Sequence, residues 1–150
     1  MRPRNHRPRA RLASVAVAAI LALIPACSGG MSRAPSEPTV SVTLKDFRIT
    51  ASAPTIGAGG VEFRIHNEGP STHEFVVVKT NYPEAGLPLA SDGLTIDEEA
   101  PGIKRVGELD DVPLGTSTTL VLHLGPGRYV MFCNFEGHYL GGMVLALKMP

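Results

Sequence analysis

The sequence has few cysteines, no excess of basic residues and no apolar run long enough to span a membrane. Only two cysteines, Cys27 and Cys133, occur in its 150 residues, so at most one disulfide is possible. Lysine and arginine number 14, as do aspartate and glutamate, so nothing in the composition suggests nucleic acid as a partner. No helical periodicity stands out after residue 27. The lack of helical periodicity favours a fold built from strands, and any chemistry would be carried by the sparse polar residues.

The N-terminus has the three parts of an export signal in order. Five arginines between Arg2 and Arg11 form a basic region, and Leu12 to Ile24 are apolar except for Ser14. These 13 residues are too few to span a bilayer, since a spanning helix needs about 20. We therefore predict that residues 1–26 are a signal peptide and that the protein is exported. Its removal leaves 9 basic against 14 acidic residues, a net charge of −5.

The signal ends in a segment that resembles a bacterial lipobox, Leu23-Ile24-Pro25-Ala26-Cys27. In that pattern the cysteine is lipidated and becomes the new N-terminus. The following small, polar, Pro-rich residues suit a flexible link, so 27–39 are predicted to be a lipidated tether. The protein would then be held at the outer face of the cell membrane or in the periplasm. The alternative is an ordinary cleaved signal in which Cys27 has no role.

Residues 40–150 are enough chain for one domain, and their apolar pattern is that of strands. Short alternating or β-branched runs are separated by turn signals such as Gly125-Pro126-Gly127. Such a series predicts an all-β antiparallel sandwich whose two sheets supply the core. The runs with strand character are 40–49, 61–66, 75–79, 118–124, 128–133 and 143–147.

One short loop near the C-terminus brings together a thiol, an imidazole and a thioether. Cys133, His138 and Met143 lie within 11 residues, at spacings that a single metal can use. Two histidines and a cysteine with a weak axial methionine are the donor set of electron-transfer copper sites. A disulfide between Cys27 and Cys133 is discounted because it would consume the thiolate donor.

The second histidine has to come from elsewhere in the chain. His66 and His123 alternate with apolar residues inside strand patterns, so their side chains are expected to face solvent. His73 instead ends a turn-rich segment just before the apolar run that starts at Phe75. We expect its side chain to reach the tip of the sandwich, where the ligand loop also lies.

Two segments resemble the cupredoxin family, the small blue-copper proteins. The stretch from Asn67 through His73 to Phe75 is similar to the loop and strand that carry the family's first histidine ligand. Residues 124–143 are similar to its final turn, strand and ligand loop. The resemblance implies a Greek-key antiparallel β-sandwich over residues 40–150. It also implies one type 1 copper ion held by His73, Cys133, His138 and Met143.

The chain departs from the family pattern beside the first ligand. The residue after that histidine is often asparagine, whose amide braces the ligand loop, but here it is Glu74. Its carboxylate could accept hydrogen bonds from loop amides near Asn134, or it could face solvent. The residues around the ligands, which tune the metal, are therefore expected to differ from those of family members with asparagine at this position.

Between the predicted strands lies a long acidic segment, residues 80–116. It has eight acidic and two basic residues, a net charge of −6, and is predicted to be an insertion before the last strands. One interpretation is a solvated loop with a helical turn near Asp97–Ala100. The other is that 84–111 form a docking face for a basic redox partner, since complementary charge speeds encounter.

The expected function is the transfer of single electrons between redox partners outside the cytoplasm, without enzymatic activity and as a monomer. An exposed edge of His138, among apolar residues such as Phe135, Tyr139 and Leu140, is expected to face the partner. One alternative is a cell-envelope protein that binds and delivers copper through the same ligands. Another is a structural or zinc-loaded cupredoxin-like module used for binding.

Overall fold

The computed structural model describes residues 37–150. The predicted signal peptide, Cys27 and the predicted tether up to residue 36 lie outside these residues. Within 37–150, no helix is long and apolar enough to span a membrane. The regular elements are β1 (Thr39–Lys45), β2 (Arg48–Ala51), β3 (Gly59–Asn67), β4 (His73–Thr80), a 3-10 turn (Glu84–Gly86), β5 (Ile103–Val112), β6 (Ser117–Leu124), β7 (Gly127–Phe132) and β8 (Val144–Met149).

These strands form two four-stranded sheets, which confirms the predicted all-β sandwich. Sheet 1 has the order β2-β1-β3-β6, and sheet 2 has the order β5-β4-β7-β8. Every neighbouring pair is antiparallel except β1 and β3, which run parallel. The parallel pair arises because β2 returns along β1, and residues 52–58 then bring the chain back to start β3 in the direction of β1. The predicted strand 40–49 is therefore a hairpin, broken at residues 46 and 47.

The main core lies between the two sheets and follows from the alternation of apolar residues. Val40, Val42 and Leu44 of β1 are buried while their neighbours are not, as a strand with one covered face requires. Across the core, the rings of Phe63 and Phe75 lie 6.0 Å apart between centroids, a normal distance for packed aromatic rings.

A second apolar cluster covers the outer face of sheet 2. Val76 of β4 and Phe132 of β7 point away from the main core, and they are covered by Leu87, Ile96 and Tyr139. Strands β4 and β7 are consequently buried on both faces, which explains why their sequences are almost continuously apolar. The strands that carry His73 and precede Cys133 are thus the most enclosed in the sandwich.

The acidic segment is not the continuous solvated loop that its composition suggests. Its last third forms β5, which pairs with β4 at the edge of sheet 2, and Leu87, Ile96 and Ala100 are buried. The predicted loop over 80–116 was therefore wrong for residues 103–112. Sequence pattern missed this strand because an edge strand carries charged side chains that obscure its alternation. Where a helical turn was predicted near Asp97–Ala100, the chain makes a hydrogen-bonded turn without helix, in which Ala100 N donates to Asp97 O at 3.2 Å.

Candidate metal centre

Neighbouring strands of sheet 2 bring the first two predicted donors together. His73 is the first residue of β4, and Cys133 directly follows β7. Because β4 pairs with β7, with Val76 opposite Phe132, both residues lie at the same end of the sheet. His138 is supplied by the loop between β7 and β8. His73 and Cys133 are fully buried, whereas His138 is partly exposed.

The three donor atoms converge on one point. His73 Nδ1 lies 3.3 Å from His138 Nδ1, and Cys133 Sγ lies 3.4 Å from the same atom. One ligand atom from each of the three residues lies within 4.8 Å of the others. A metal bound at about 2.0–2.3 Å from nitrogen and sulfur donors separates them by roughly 3.5 Å in a trigonal arrangement. The spacing therefore fits a single ion.

The ligand loop is closed by its own backbone hydrogen bonds. His138 N donates to Phe135 O at 2.9 Å, and Met143 N donates to His138 O at 3.0 Å. Cys133 N donates to Met143 O at 3.2 Å, which joins the two ends of the loop. Gly137 has a φ of 76°, a conformation that glycine adopts without steric cost. The site is therefore held in its binding shape by the chain itself.

Met143 lies at the base of this loop in the main core. Its side chain is fully buried in the same cluster as Cys133. Its backbone is hydrogen-bonded to the backbones of both Cys133 and His138. This position is compatible with a weak axial donor. The assignment of its thioether as the axial ligand stays a prediction.

The surroundings of Cys133 act on the pKa of its thiol in both directions. Burial raises its pKa, while backbone hydrogen bonds from Phe135 and Glu74 oppose that rise. The Glu74 N–H lies 3.3 Å from Sγ. A metal ion displaces the proton of a coordinating thiol, and these amide donors then stabilise the resulting thiolate.

His73 is held in the form that a metal requires. Burial lowers its pKa, and the nearby His138 lowers it further, against the opposing influence of Asp46. The ring is thus favoured in its neutral state, which is the state that binds metal.

Glu74 stands where the family pattern often has asparagine, and its side chain reaches the ligand loop. Its carboxylate accepts a hydrogen bond from Asn134 N at 3.2 Å, so it contacts a loop amide, the first of the two alternatives. Burial and the neighbouring Glu98 raise the pKa of Glu74 to about 7, although the Asn134 amide opposes this. The Asn134 side chain in turn braces the segment around Ile96. Its Oδ1 accepts from Ile96 N at 2.6 Å.

The surface around His138 differs from the prediction. Tyr139, which was predicted to surround the exposed histidine edge, is buried, and its hydroxyl donates to Glu84 O at 2.8 Å. That prediction was wrong because the 84–87 segment folds over the ring. Leu140 is 52% exposed, and the Phe135 ring lies 5.9 Å from the His138 ring. Sequence reasoning missed Phe47, which is 51% exposed and whose ring centroid is 5.5 Å from that of His138.

The two rejected histidines lie outside the site. His66 is partly exposed on β3, where its Nδ1 lies 2.9 Å from Ser117 Oγ. His123 is exposed on β6. Asp46, in contrast, was not among the predicted site residues, although its Oδ1 lies 3.1 Å from His73 Nε2. The only sequence signal for Asp46 and Phe47 is a break in the alternation of 40–49, where the pattern otherwise predicts one strand.

Comparisons with known proteins agree with this geometry. Residues 13–146 match the family model of the cupredoxin-like domain. No curated protein matches the chain. Reduced auracyanin from Roseiflexus castenholzii is similar in structure, with a TM-score of 0.55 and 20% identity over 76% of this chain and 98% of that one. Rusticyanin from Thiobacillus ferrooxidans gives a TM-score of 0.52 and 21% identity over 77% of this chain and 79% of that one.

The structural similarities at this identity establish the fold, and the family model covers most of the sequence. Together with the donor geometry, they show that the cluster of His73, Cys133 and His138 is positioned to bind one copper ion, consistent with a type 1 site. The chain belongs to the cupredoxin family.

Proposed function

We propose that the protein carries single electrons between redox partners outside the cytoplasm. The observation that carries this proposal is a preformed donor cluster in which two ligands are buried and one, His138, is partly exposed. When bound, copper supplies a one-electron couple between Cu(II) and Cu(I). The hydrogen-bonded loop and the doubly covered strands hold the donors in one arrangement, which keeps reorganisation between the two oxidation states small.

His138 is the proposed point of electron entry and exit. Its ring is the donor nearest to solvent, and it is flanked by Phe47, Phe135 and Leu140. Apolar side chains around a redox-active edge exclude water from the contact with a partner and shorten the path for the electron. Buried Cys133 would hold the copper through its thiolate, a covalent donor that would couple the metal to the ligand loop. We infer that the protein is a carrier of electrons rather than an enzyme.

Repeated redox cycling distinguishes this function from copper delivery. We expect the copper-loaded protein to be reduced and reoxidised many times with retention of the metal in the presence of a competing chelator. Retention is expected because His73 and Cys133 are fully buried and the loop is closed over them. Rapid loss of copper to the chelator together with slow cycling would instead support a delivery protein.

We further propose that an acidic surface on β5 and the preceding turn attracts a basic partner. Within the acidic segment, Glu98 and Glu108 contact Arg105, and Asp92 accepts hydrogen bonds within its own turn. Glu99, Asp110 and Asp111 are exposed. These three carboxylates are therefore the ones best placed to act on an approaching protein.

A triple variant is expected to slow electron transfer to a basic partner at low salt. It combines Glu99→Gln, Asp110→Asn and Asp111→Asn, which remove the three negative charges. Long-range charge attraction raises association rates by at least tenfold in favourable cases, and salt screens it over about 8–10 Å. Stopped-flow rates with a basic acceptor protein, compared between low and high salt, measure the effect. The visible spectrum should not change. Equal low-salt rates for the variant and the wild type would remove the docking proposal.

Cys27 is proposed to anchor the protein through a lipid, with residues 27–39 as the tether and a monomeric domain beyond it. The support is the lipobox-like sequence that ends at Cys27. Such an anchor would keep the domain where it can meet partners at the surface of the cell membrane or in the periplasm.

A further inference from the structure

The turn between β1 and β2 reaches both histidines of the metal site. It contains only Asp46 and Phe47, since Lys45 pairs with Arg48. Asp46 Oδ1 lies 3.1 Å from His73 Nε2, and the Phe47 ring makes an edge contact with the ring of His138. The turn belongs to sheet 1, whereas His73 is on sheet 2. Sheet 1 therefore contributes to a site whose donors all come from sheet 2 and its ligand loop.

Asp46 is fixed in place by hydrogen bonds to the loop that precedes His73. Ser71 N donates to Asp46 Oδ1 at 3.2 Å, and the Ser71 hydroxyl donates to Oδ2 at 3.1 Å. The carboxylate is mostly enclosed, with 27% of the side chain exposed. Its negative charge is thus held near His73 and only partly screened by water.

Phe47 holds the turn against the ligand loop. Its φ of 60° lies in the left-handed region, which a bulky residue rarely adopts. Such a conformation persists where the surroundings impose it. Here the ring occupies the space that Gly141 leaves free, because a Cβ at Gly141 would overlap the ring. The contact with the ligand loop therefore keeps the neighbouring Asp46 at a defined position.

The two nitrogens of His73 face different partners. Nδ1 points into the donor cluster, 3.3 Å from His138 Nδ1. Nε2 is buried and, among the described residues, is the only such side-chain polar atom without a hydrogen bond. Asp46 Oδ1 lies 3.1 Å from it without forming a hydrogen bond to it. Since an unpaired buried N–H is costly, a small turn of the ring toward this oxygen is favourable.

We propose that Asp46 is a positioning residue for His73, accepting the Nε2 proton, leaving Nδ1 free for copper and stabilising Cu(II) relative to Cu(I). A neutral imidazole carries one proton, so fixing it on Nε2 leaves Nδ1 as the metal donor. A carboxylate partner also raises the basicity of a ligating histidine. The extra negative charge favours the more positive oxidation state of the ion. The effect on copper rests on the proposed function, whereas the effect on the proton does not.

Asp46→Asn keeps the shape of the side chain and removes its charge. We expect it to raise the reduction potential, through a loss of Cu(II) affinity relative to Cu(I) of about tenfold, which corresponds to about 59 mV for one electron. Voltammetry of the copper-loaded protein measures this shift. Glu136→Gln is the matched control, because Glu136 is an exposed carboxylate of the ligand loop whose charge is screened by water. An Asp46→Asn potential equal to that of the control overturns the proposal.

The position of the proton can be tested without copper, first in the wild type and then in a variant. Nitrogen-15 NMR of His73 in the metal-free wild type is expected to show the proton on Nε2. In Asp46→Ala, signals from both tautomers should appear. A wild-type proton on Nδ1 overturns the inference even if Asp46→Asn does not fold. A protein that binds no redox-active copper would instead refute the proposed function and leave this proton assignment standing.

Discussion

Cys133→Ser is expected to abolish the intense visible absorption of the copper-loaded protein. That absorption arises from charge transfer between a thiolate and Cu(II), and Cys133 is the only cysteine within residues 37–150. Its Sγ lies 3.4 Å from His138 Nδ1 in the donor cluster. A serine hydroxyl at this position remains protonated near neutral pH and is a poor ligand for copper. We expect near-complete loss of the band and at least tenfold weaker copper binding, measured by absorption spectroscopy and competition titration.

Met143→Leu is the informative comparison for this substitution. Both residues are fully buried in the same core cluster, so each change disturbs packing. The axial thioether is a weak, long contact in such sites, and its loss should leave the blue absorption in place. An equal loss of the blue absorption in both variants would show that the absorption depends on core packing and not on the thiolate ligand.

Asn67→Ala is expected to destabilise the metal-free protein by about 3 kcal/mol, because each buried polar group left unpaired costs about 1–3 kcal/mol. The Asn67 side chain is fully buried at the end of β3. Its Nδ2 donates to Ser71 O at 2.8 Å and to Val112 O at 2.7 Å, and its Oδ1 accepts from Gly69 N at 2.6 Å. One side chain therefore joins the loop that leads to His73 with the end of β5. Urea unfolding measures the loss.

Asn81→Ala is the control for the loss of an amide. Asn81 is exposed just after β4, and a surface change of this kind alters the free energy of unfolding by about 0.5 kcal/mol or less. Asn67→Ala should also weaken copper binding, since the loop over residues 68–72 positions His73. A variant as stable as the control would show that the three hydrogen bonds do not hold this loop.

The chemistry of the centre was predictable from sequence because it depends on residue types at short spacings. Cys133 and His138 are five residues apart in one loop, and their approach follows from local backbone hydrogen bonds. His73 was identified by elimination, since the alternation of β3 and β6 places His66 and His123 away from the core. The alternation of apolar residues likewise predicted the strands wherever one face of the strand is buried and the other is exposed.

What the sequence did not show depends on contacts between distant segments. Asp46 reaches His73 only because sheet 1 packs over sheet 2, and nothing in the local pattern of β1 indicates this. Tyr139 is buried by the 84–87 segment, more than 50 residues earlier in the chain. Strand β5 was missed because its charged edge residues obscure the alternation. The spacing of residues in the sequence was thus enough to identify the donors. The residues that orient and cover those donors could be identified only from the fold.

Titration of Cu(II) into the metal-free protein tests the central claim most directly. We predict that one equivalent of Cu(II) produces an intense visible absorption, which a reductant bleaches and an oxidant restores. This result follows if His73, Cys133 and His138 bind one ion with a thiolate ligand. A colourless copper complex, or a band that cannot be restored after reduction, would contradict the assignment of an electron-transfer copper site.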